Sequence, residues 1–180
     1  HVKVWNTRTG VLEKSVQPHG GFIYSLQWTP DGKEIAAAGV EYSVKMWNVG
    51  GDWKLSRELA KDWDDTIYAF AFNEDRPGEL AVGHRNGKVK TWSYANESLM
   101  EDTLVHRGKV LGMTYVTGGK YLVSAGEDSF VQIWDTKARQ QYMTLQHDSP
   151  VRCCGPHPKE QVFATGDETG IVMVWRMGDP

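Results

Sequence analysis

One short word is written five times along this chain. VKVWN ends at Asn6, VKMWN at Asn48, VKTWS at Ser93, VQIWD at Asp135 and VMVWR at Arg176. Its tryptophans, Trp5, Trp47, Trp92, Trp134 and Trp175, are spaced by 42, 45, 42 and 41 residues. A period in this range marks a stacked or circular array, in which each repeat is one supersecondary unit that buries its apolar face against the next. They account for five of the eight tryptophans.

The same order of pieces returns inside each period. In the unit that holds VQIWD, His106 opens a run through Val110 to Tyr115, and Thr117-Gly-Gly-Lys120 turns the chain. Tyr121 to Ala125 follows, then Gly126-Glu-Asp128-Ser129, then Phe130 to Trp134. Runs rich in β-branched and aromatic residues, separated by Gly, Asp or Pro, read as short strands and turns. Thr29-Pro-Asp-Gly32 is a strong turn of this kind. A fourth segment, Gln140 to Leu145, precedes the next His, which gives four strands per period. The chain reads as all-β.

The order His-x-x-x-Val, strand, PDG-like turn, strand with Ser, Gly-x-Asp turn and VxxWD resembles the WD-repeat family of β-propellers, from Trp5 to Trp175. The resemblance implies four-stranded antiparallel blades set radially around an axis. It also implies a buried polar relay in each blade, since buried polar groups must be paired. An Asp in the turn after the second strand would orient a His from the loop before the first. That His and the Trp indole would meet at the hydroxyl of a Ser or Thr on the second strand. One unit holds all four members, His106, Ser124, Asp128 and Trp134. The next offers His147, Thr165 and Trp175, with Thr169 where Asp is expected. The first full unit keeps His19 and Trp47 but carries Ala37 and Glu41 at the Ser and Asp positions. The second places Trp63, Val82 and Asn86 at the polar positions and keeps only Trp92.

Two sets of residues invite a chemical reading. His106, Ser124 and Asp128 have the types of a nucleophilic triad, but a blade relay is buried and lacks the accessible nucleophile and oxyanion donor that catalysis needs. Cys153, Cys154, His147 and His157 have zinc-ligand types. Adjacent cysteines on a strand point to opposite faces, however, and zinc sites use spaced pairs. No catalytic residue, cofactor or metal is assigned. Two adjacent cysteines imply no disulfide framework. A net charge of −3 argues against a surface built to neutralise nucleic-acid phosphates. No apolar run is long enough to cross a bilayer, and HVKVWNTRTG lacks the apolar core of a signal peptide. An intracellular, reducing setting is expected.

Residues 1–17 read as the last two strands of one blade, 18–59, 60–105 and 106–146 as full repeats, and 147–180 as a repeat without its outer strand. The expectation is about four and a half blades of a larger ring, seven-bladed as WD-repeat propellers most often are. The missing blades would come from the rest of the polypeptide. Alone, such an arc would be oligomeric or insoluble, because it exposes blade faces and strand edges.

The resemblance implies a rigid disc that presents loops to proteins or peptides, without chemistry of its own. The narrower face gathers the loops that enter each first strand and the turns between second and third strands. By that rule the candidate partner-binding residues are Tyr24, Tyr68, Arg85, Lys109, Glu127 and Arg152. Phe22, Thr66, Leu111, Pro150, Val40 and Glu168 stand beside them. An alternative is an accessory or regulatory propeller on a multidomain enzyme or ATPase whose catalytic part lies elsewhere.

Overall fold

A computed structural model describes residues 1–17, 20–59 and 65–178. Among them there are strands and turns but no helix. A hairpin of β1 (Val2–Trp5) and β2 (Leu12–Val16) precedes four antiparallel sheets. The first sheet runs β3 (Ile23–Trp28), β4 (Glu34–Gly39), β5 (Val44–Asn48) and β6 (Leu55–Leu59). In the second, β7 (Ile67–Phe72), β8 (Glu79–His84), β9 (Lys88–Ser93) and β10 (Ser98–Leu104) follow in order. The third contains β11 (Val110–Val116), β12 (Tyr121–Gly126), β13 (Phe130–Asp135) and β14 (Gln140–Gln146). The fourth has three strands, β15 (Val151–Pro156), β16 (Val162–Asp167) and β17 (Val172–Arg176). The four sheets are arranged as the blades of a β-propeller.

Local chemistry makes these meanders. The Thr29-Pro-Asp-Gly32 turn closes with the Gly32 N–H donating to the Thr29 carbonyl at 2.9 Å, and Gly32 takes a φ of +69° that favours glycine. The Thr29 hydroxyl donates to the Asp31 carboxylate at 2.7 Å, which locks the corner. Along the strands the period-2 alternation sends Val131 and Ile133, both fully buried, to one side of β13 and Gln132 and Trp134 to the other.

The core lies between sheets, and registers show that it is built the same way each time. Each sheet turns small or β-branched residues toward the following sheet. Ala36 pairs with Met46 and Ala38 with Val44; the counterparts are Val123 with Ile133 and Ala125 with Val131. Each following sheet answers with bulk on its opposite face. Phe70 and Phe72 join the cluster that holds Ala36, Ala38, Val44 and Met46, and Phe163 and Trp175 join Val123, Val131 and Ile133. Burial of each such large side chain contributes roughly 1.5–3 kcal/mol, so the interfaces rather than the individual sheets hold the arc together.

Two faces break the pattern. In the fourth sheet the same register pairs Ala164 with Val174 and Gly166 with Val172, yet Val172 and Val174 are 68% and 70% exposed. At the other end Leu26 and Trp28 occupy the places of Phe70 and Phe72 and are 47% and 50% exposed. The hairpin covers only the outer part of that face, where Val2 and Val16 pack on Ile35, Ala37 and Trp47.

Candidate interaction surface and the polar relays

The third sheet holds a complete histidine relay. The His106 Nδ1–H donates to Asp128 Oδ1 at 2.9 Å, and Nε2 accepts from the Ser124 hydroxyl at 2.8 Å. Asp128 also accepts from the backbone N–H of Arg107 at 2.9 Å and of Phe130 at 3.3 Å. Burial pushes the His106 imidazole below its ordinary range, against the opposing pull of Asp128. Burial would raise the Asp128 carboxyl, yet it lies below the usual range because the Arg107 N–H and His106 hold its charged form. His106 and Ser124 are buried and both ring nitrogens are engaged, so no nucleophile faces solvent.

The fourth sheet corrects one expectation. Its carboxylate comes from Asp167, not from the position of Thr169. His147 Nδ1–H donates to Asp167 at 3.0 Å, and Nε2 accepts from the Thr165 hydroxyl at 2.8 Å. Thr169 instead donates its N–H and hydroxyl to Asp167, at 3.0 and 2.7 Å. Chiefly through the bond from His147, the Asp167 carboxyl is drawn down to about 2. The reason lies in the register. Asp167 pairs with Val151 just as Gly126 pairs with Val110. A Cβ built on Gly126 would sit 2.2 Å from His106 Nδ1 and 2.4 Å from Asp128 Oδ1. A side chain at this position therefore aims at the imidazole, and glycine there clears the space that Asp128 fills from the turn.

The indole expectation holds in one of these sheets. Trp175 Nε1–H donates to the Thr165 hydroxyl at 2.8 Å, but Trp134 makes no such bond to Ser124 among the described residues. Ser124 and Trp134 both line a cavity of about 20 Å³. The facing sheet offers Thr91 there, where the third sheet offers the larger Ile133 to the fourth.

The first two sheets use other groups. Glu41 accepts from the Gly20 N–H and from Lys45 Nζ, the latter at 2.7 Å. Ala37 supplies no hydroxyl, and Trp47 is packed in the apolar core. His19 and Trp63 lie outside the described residues. In the second sheet a histidine that sequence reasoning missed, His84, sits at the Gly126 and Asp167 position, paired with Ile67. It is buried, and burial followed by the charge of Lys90 lowers its imidazole to about 4. Asp65 accepts from the N–H groups of Thr66 and Asn86, at 2.9 and 2.7 Å. The signal for His84 was its place two residues after Val82, on the side of the strand that faces the relay.

Of the tempting metal set, His147 spends both nitrogens in its relay, and His157 Nδ1 accepts from the Glu160 N–H at 2.9 Å. Cys153 is exposed, whereas burial pushes the neighbouring Cys154 thiol up to about 12.

All six candidate partner-binding residues fall on one face. The link is a bond repeated in every sheet, where a turn N–H donates to the carbonyl at the start of the first strand. It joins Val40 to Phe22 at 3.2 Å, Arg85 to Thr66 at 2.9 Å, Glu127 to Lys109 at 2.9 Å and Glu168 to Pro150 at 3.0 Å. Across these seats the side chains form a continuous strip. Phe22 and Tyr24 stack at 6.2 Å between ring centroids, and Tyr24 and Tyr68 at 4.5 Å with 17° between planes. Lys109 Nζ lies 5.9 Å from the Tyr68 centroid and 2.6 Å from Glu127. Arg152 pairs with Glu168 at 2.6 Å. Burial raises the Tyr68 phenol, and the charges of Lys109 and Arg85 partly offset that.

A WD domain, G-beta repeat family model matches residues 10–48, 100–135 and 139–176. The chain belongs to the WD40 repeat family. The stretch between the first two matches contains the first three strands of the second sheet, the one with His84 in place of the usual relay. Among curated relatives, intraflagellar transport protein 80 homolog of Mus musculus is 24% identical over 89% of this chain and 20% of its own length. Apoptotic protease-activating factor 1 of Rattus norvegicus is 24% identical over 89% of this chain and 13% of its own. Anaphase-promoting complex subunit cdc20 of Dictyostelium discoideum is 27% identical over 92% and 34%. The chain thus spans between 13% and 34% of the length of these relatives. Of solved structures, the crystal structure of RRP9 WD40 repeats matches with a TM-score of 0.81 at 22% identity, over 89% of this chain and 50% of the other. The structure of U3-55K gives 0.79 at the same identity and coverage. WD40 propellers generally mediate protein interactions and are generally non-catalytic. No helix among the described residues is long and apolar enough to cross a membrane.

Proposed function

We propose that this protein is a non-catalytic interaction scaffold, which holds peptide or protein partners against the strip from Phe22 to Glu168 within a larger intracellular complex. The observation that carries the reading is the stacked, outward-facing set Phe22, Tyr24 and Tyr68, with Phe22 74% exposed. Aromatic side chains held rigid on a surface give large contact area at low entropic cost and dominate interface energetics. The relatives' names, an anaphase-promoting complex subunit and an intraflagellar transport protein among them, support membership of an intracellular assembly. Further blades of the same polypeptide would cover Val172 and Val174 at one end and Leu26 and Trp28 at the other, completing a ring of seven. Their equivalents Val131 and Ile133 in the third sheet and Phe70 and Phe72 in the second are buried, which supports this.

The test is a triple substitution, Tyr24→Ala, Tyr68→Ala and Arg152→Ala, in the full-length protein. Partners recovered with the tagged protein fall in amount, while the melting temperature of the propeller stays within about 2 °C, since surface changes cost little. Undiminished recovery sinks the site.

A second reading, an accessory propeller on a multidomain enzyme or ATPase, is favoured by the small share of apoptotic protease-activating factor 1 that the chain covers. A nucleotide-binding or catalytic segment in the same reading frame would decide for it.

A further inference from the structure

Resting on the proposed surface, a second observation narrows the partner's chemistry. In the third and fourth sheets the turn position carries an acid, and each acid is used internally. Glu127 pairs with Lys109 and Glu168 with Arg152, both at 2.6 Å. In the second sheet the same position is Arg85, seated by the same backbone bond to Thr66. The charge is reversed there, and the nearby first-strand residues are Thr66 and Tyr68 rather than an acid. Arg85 is exposed, and its guanidinium makes no ion pair or hydrogen bond among the described residues. It is close enough to Tyr68 and Lys109 for its charge to act on both. Lys109 is already held by Glu127, so Arg85, at the junction between the aromatic and the ionic halves of the strip, is a cation with no ion pair among the described residues.

We propose that this junction takes an extended peptide in which an Asp or Glu carboxylate caps Arg85 while a neighbouring aromatic side chain lies on Phe22 and Tyr24. A guanidinium presents a planar fork of donors that matches a carboxylate in two parallel bonds. The Tyr68 ring, near enough for the Arg85 charge to act on it, excludes water from one side of the pair, which strengthens the attraction. The extended form follows from the strip itself, a row of shallow seats one sheet apart rather than a single deep pocket.

The probe is a library of random 12-residue peptides displayed on phage and selected on the immobilised full-length protein. The best peptide is then synthesised with a fluorescein label and titrated by polarisation. Enriched sequences carry Asp or Glu within two residues of Trp, Tyr or Phe. Binding of the synthesised peptide falls about tenfold or more on Arg85→Glu and less on Arg85→Lys, which keeps the charge but loses the fork. Melting curves of both variants overlay that of the parent, because the exposed Arg85 guanidinium makes no ion pair or hydrogen bond among the described residues. If the peptide loses affinity on Tyr24→Ala and Tyr68→Ala but not on Arg85→Glu, the carboxylate assignment falls and the interaction surface stands. If none of these changes matters, or no sequence is enriched, both fall. A peptide whose acid is replaced by phosphoserine and then binds more than tenfold tighter overturns the assignment to a carboxylate.

Discussion

The third and fourth sheets and the first and second sheets share a backbone plan but differ in what they bury. In the later pair a histidine, a hydroxyl and a carboxylate close on one another, through Asp128 in one sheet and Asp167 in the other. In the earlier pair the hydroxyl position holds Ala37 or Val82, both fully buried, and the turn is tied by other carboxylates, Glu41 and Asp65. Both pairs nevertheless form four antiparallel strands or the start of them, with the same registers and the same small-against-bulky interfaces. The relay is therefore a local fastening between loop, strand and turn, and the packing between sheets is what builds the arc. A polar network of this kind is acceptable only when every member is satisfied. Replacing its hydroxyl with a methyl-sized or branched apolar group removes the demand instead of leaving it unmet.

The comparison breaks most visibly with acid. His84 is a buried imidazole outside any Ser-and-Asp relay, lowered to about 4, with Lys90 opposing its charge and Asp65 and Asp102 favouring it. Between pH 6.5 and 4 the unfolded chain holds a proton that the folded sheet refuses. Folding stability therefore falls as pH drops through that window and levels off below it. The loss is on the order of 3 kcal/mol. Urea unfolding of the propeller from pH 7 to 4 should show this slope, and His84→Gln should flatten it. An equal slope in the variant would show that His84 is not its source. Asp167 behaves oppositely in range: its stabilisation is present above pH 4 and drains away only as pH falls toward 2.

A smaller effect tests whether the two complete relays are interchangeable. Asp128→Thr alone leaves the buried His106 Nδ1–H without an acceptor and should cost about 1–3 kcal/mol. Adding Gly126→Asp transplants the fourth sheet's arrangement into the third. Gly126 lies outside the positive-φ glycines, so only space, not backbone geometry, opposes a side chain there. With Asp128 gone that space is free, and the double variant should recover most of the loss. The part not recovered is the bond from the Arg107 N–H, which only the turn carboxylate reaches. A double variant less stable than the single one would show that the two seats are not equivalent.

The period of the tryptophans and the alternation around them made the all-β repeat legible from the chain alone, because both are one-dimensional signals. Three-dimensional substitution was harder to read. Thr169 stands in the turn where Asp128 stands, but the carboxylate had moved two residues back along the strand, to a side chain pointing the same way. His84 was passed over for the same reason, since a motif read by fixed offsets does not see that a strand position and a turn position converge on one point. Phe22, Tyr24 and Tyr68 were recognised as face residues from their offsets to the repeat. Their mutual stacking depended on the rotation between sheets, which no offset encodes. The pairing of Lys109 and Arg152 with the acids beside them, which leaves Arg85 without an ion pair among the described residues, likewise emerged only from distances.

The smallest expected effect separates the two complete relays by a single hydrogen bond. Trp175 and Trp134 close equivalent strands, but only the indole of Trp175 donates to its hydroxyl, at 2.8 Å to Thr165. Trp→Phe at either site removes a similar amount of ring, so the packing loss largely cancels between them. What remains is the bond, worth about 1 kcal/mol. Trp175→Phe should therefore lower stability by that much more than Trp134→Phe in paired urea titrations. The third sheet's cavity beside Ser124 and Trp134 gives the comparison a further handle. Thr91→Ile supplies the bulk that Ile133 provides to the fourth sheet. If missing bulk is what keeps the Trp134 indole from its hydroxyl, Trp134→Phe made on that background should cost as much as Trp175→Phe does. Equal costs without Thr91→Ile would instead mean that Trp134 already makes an equivalent bond.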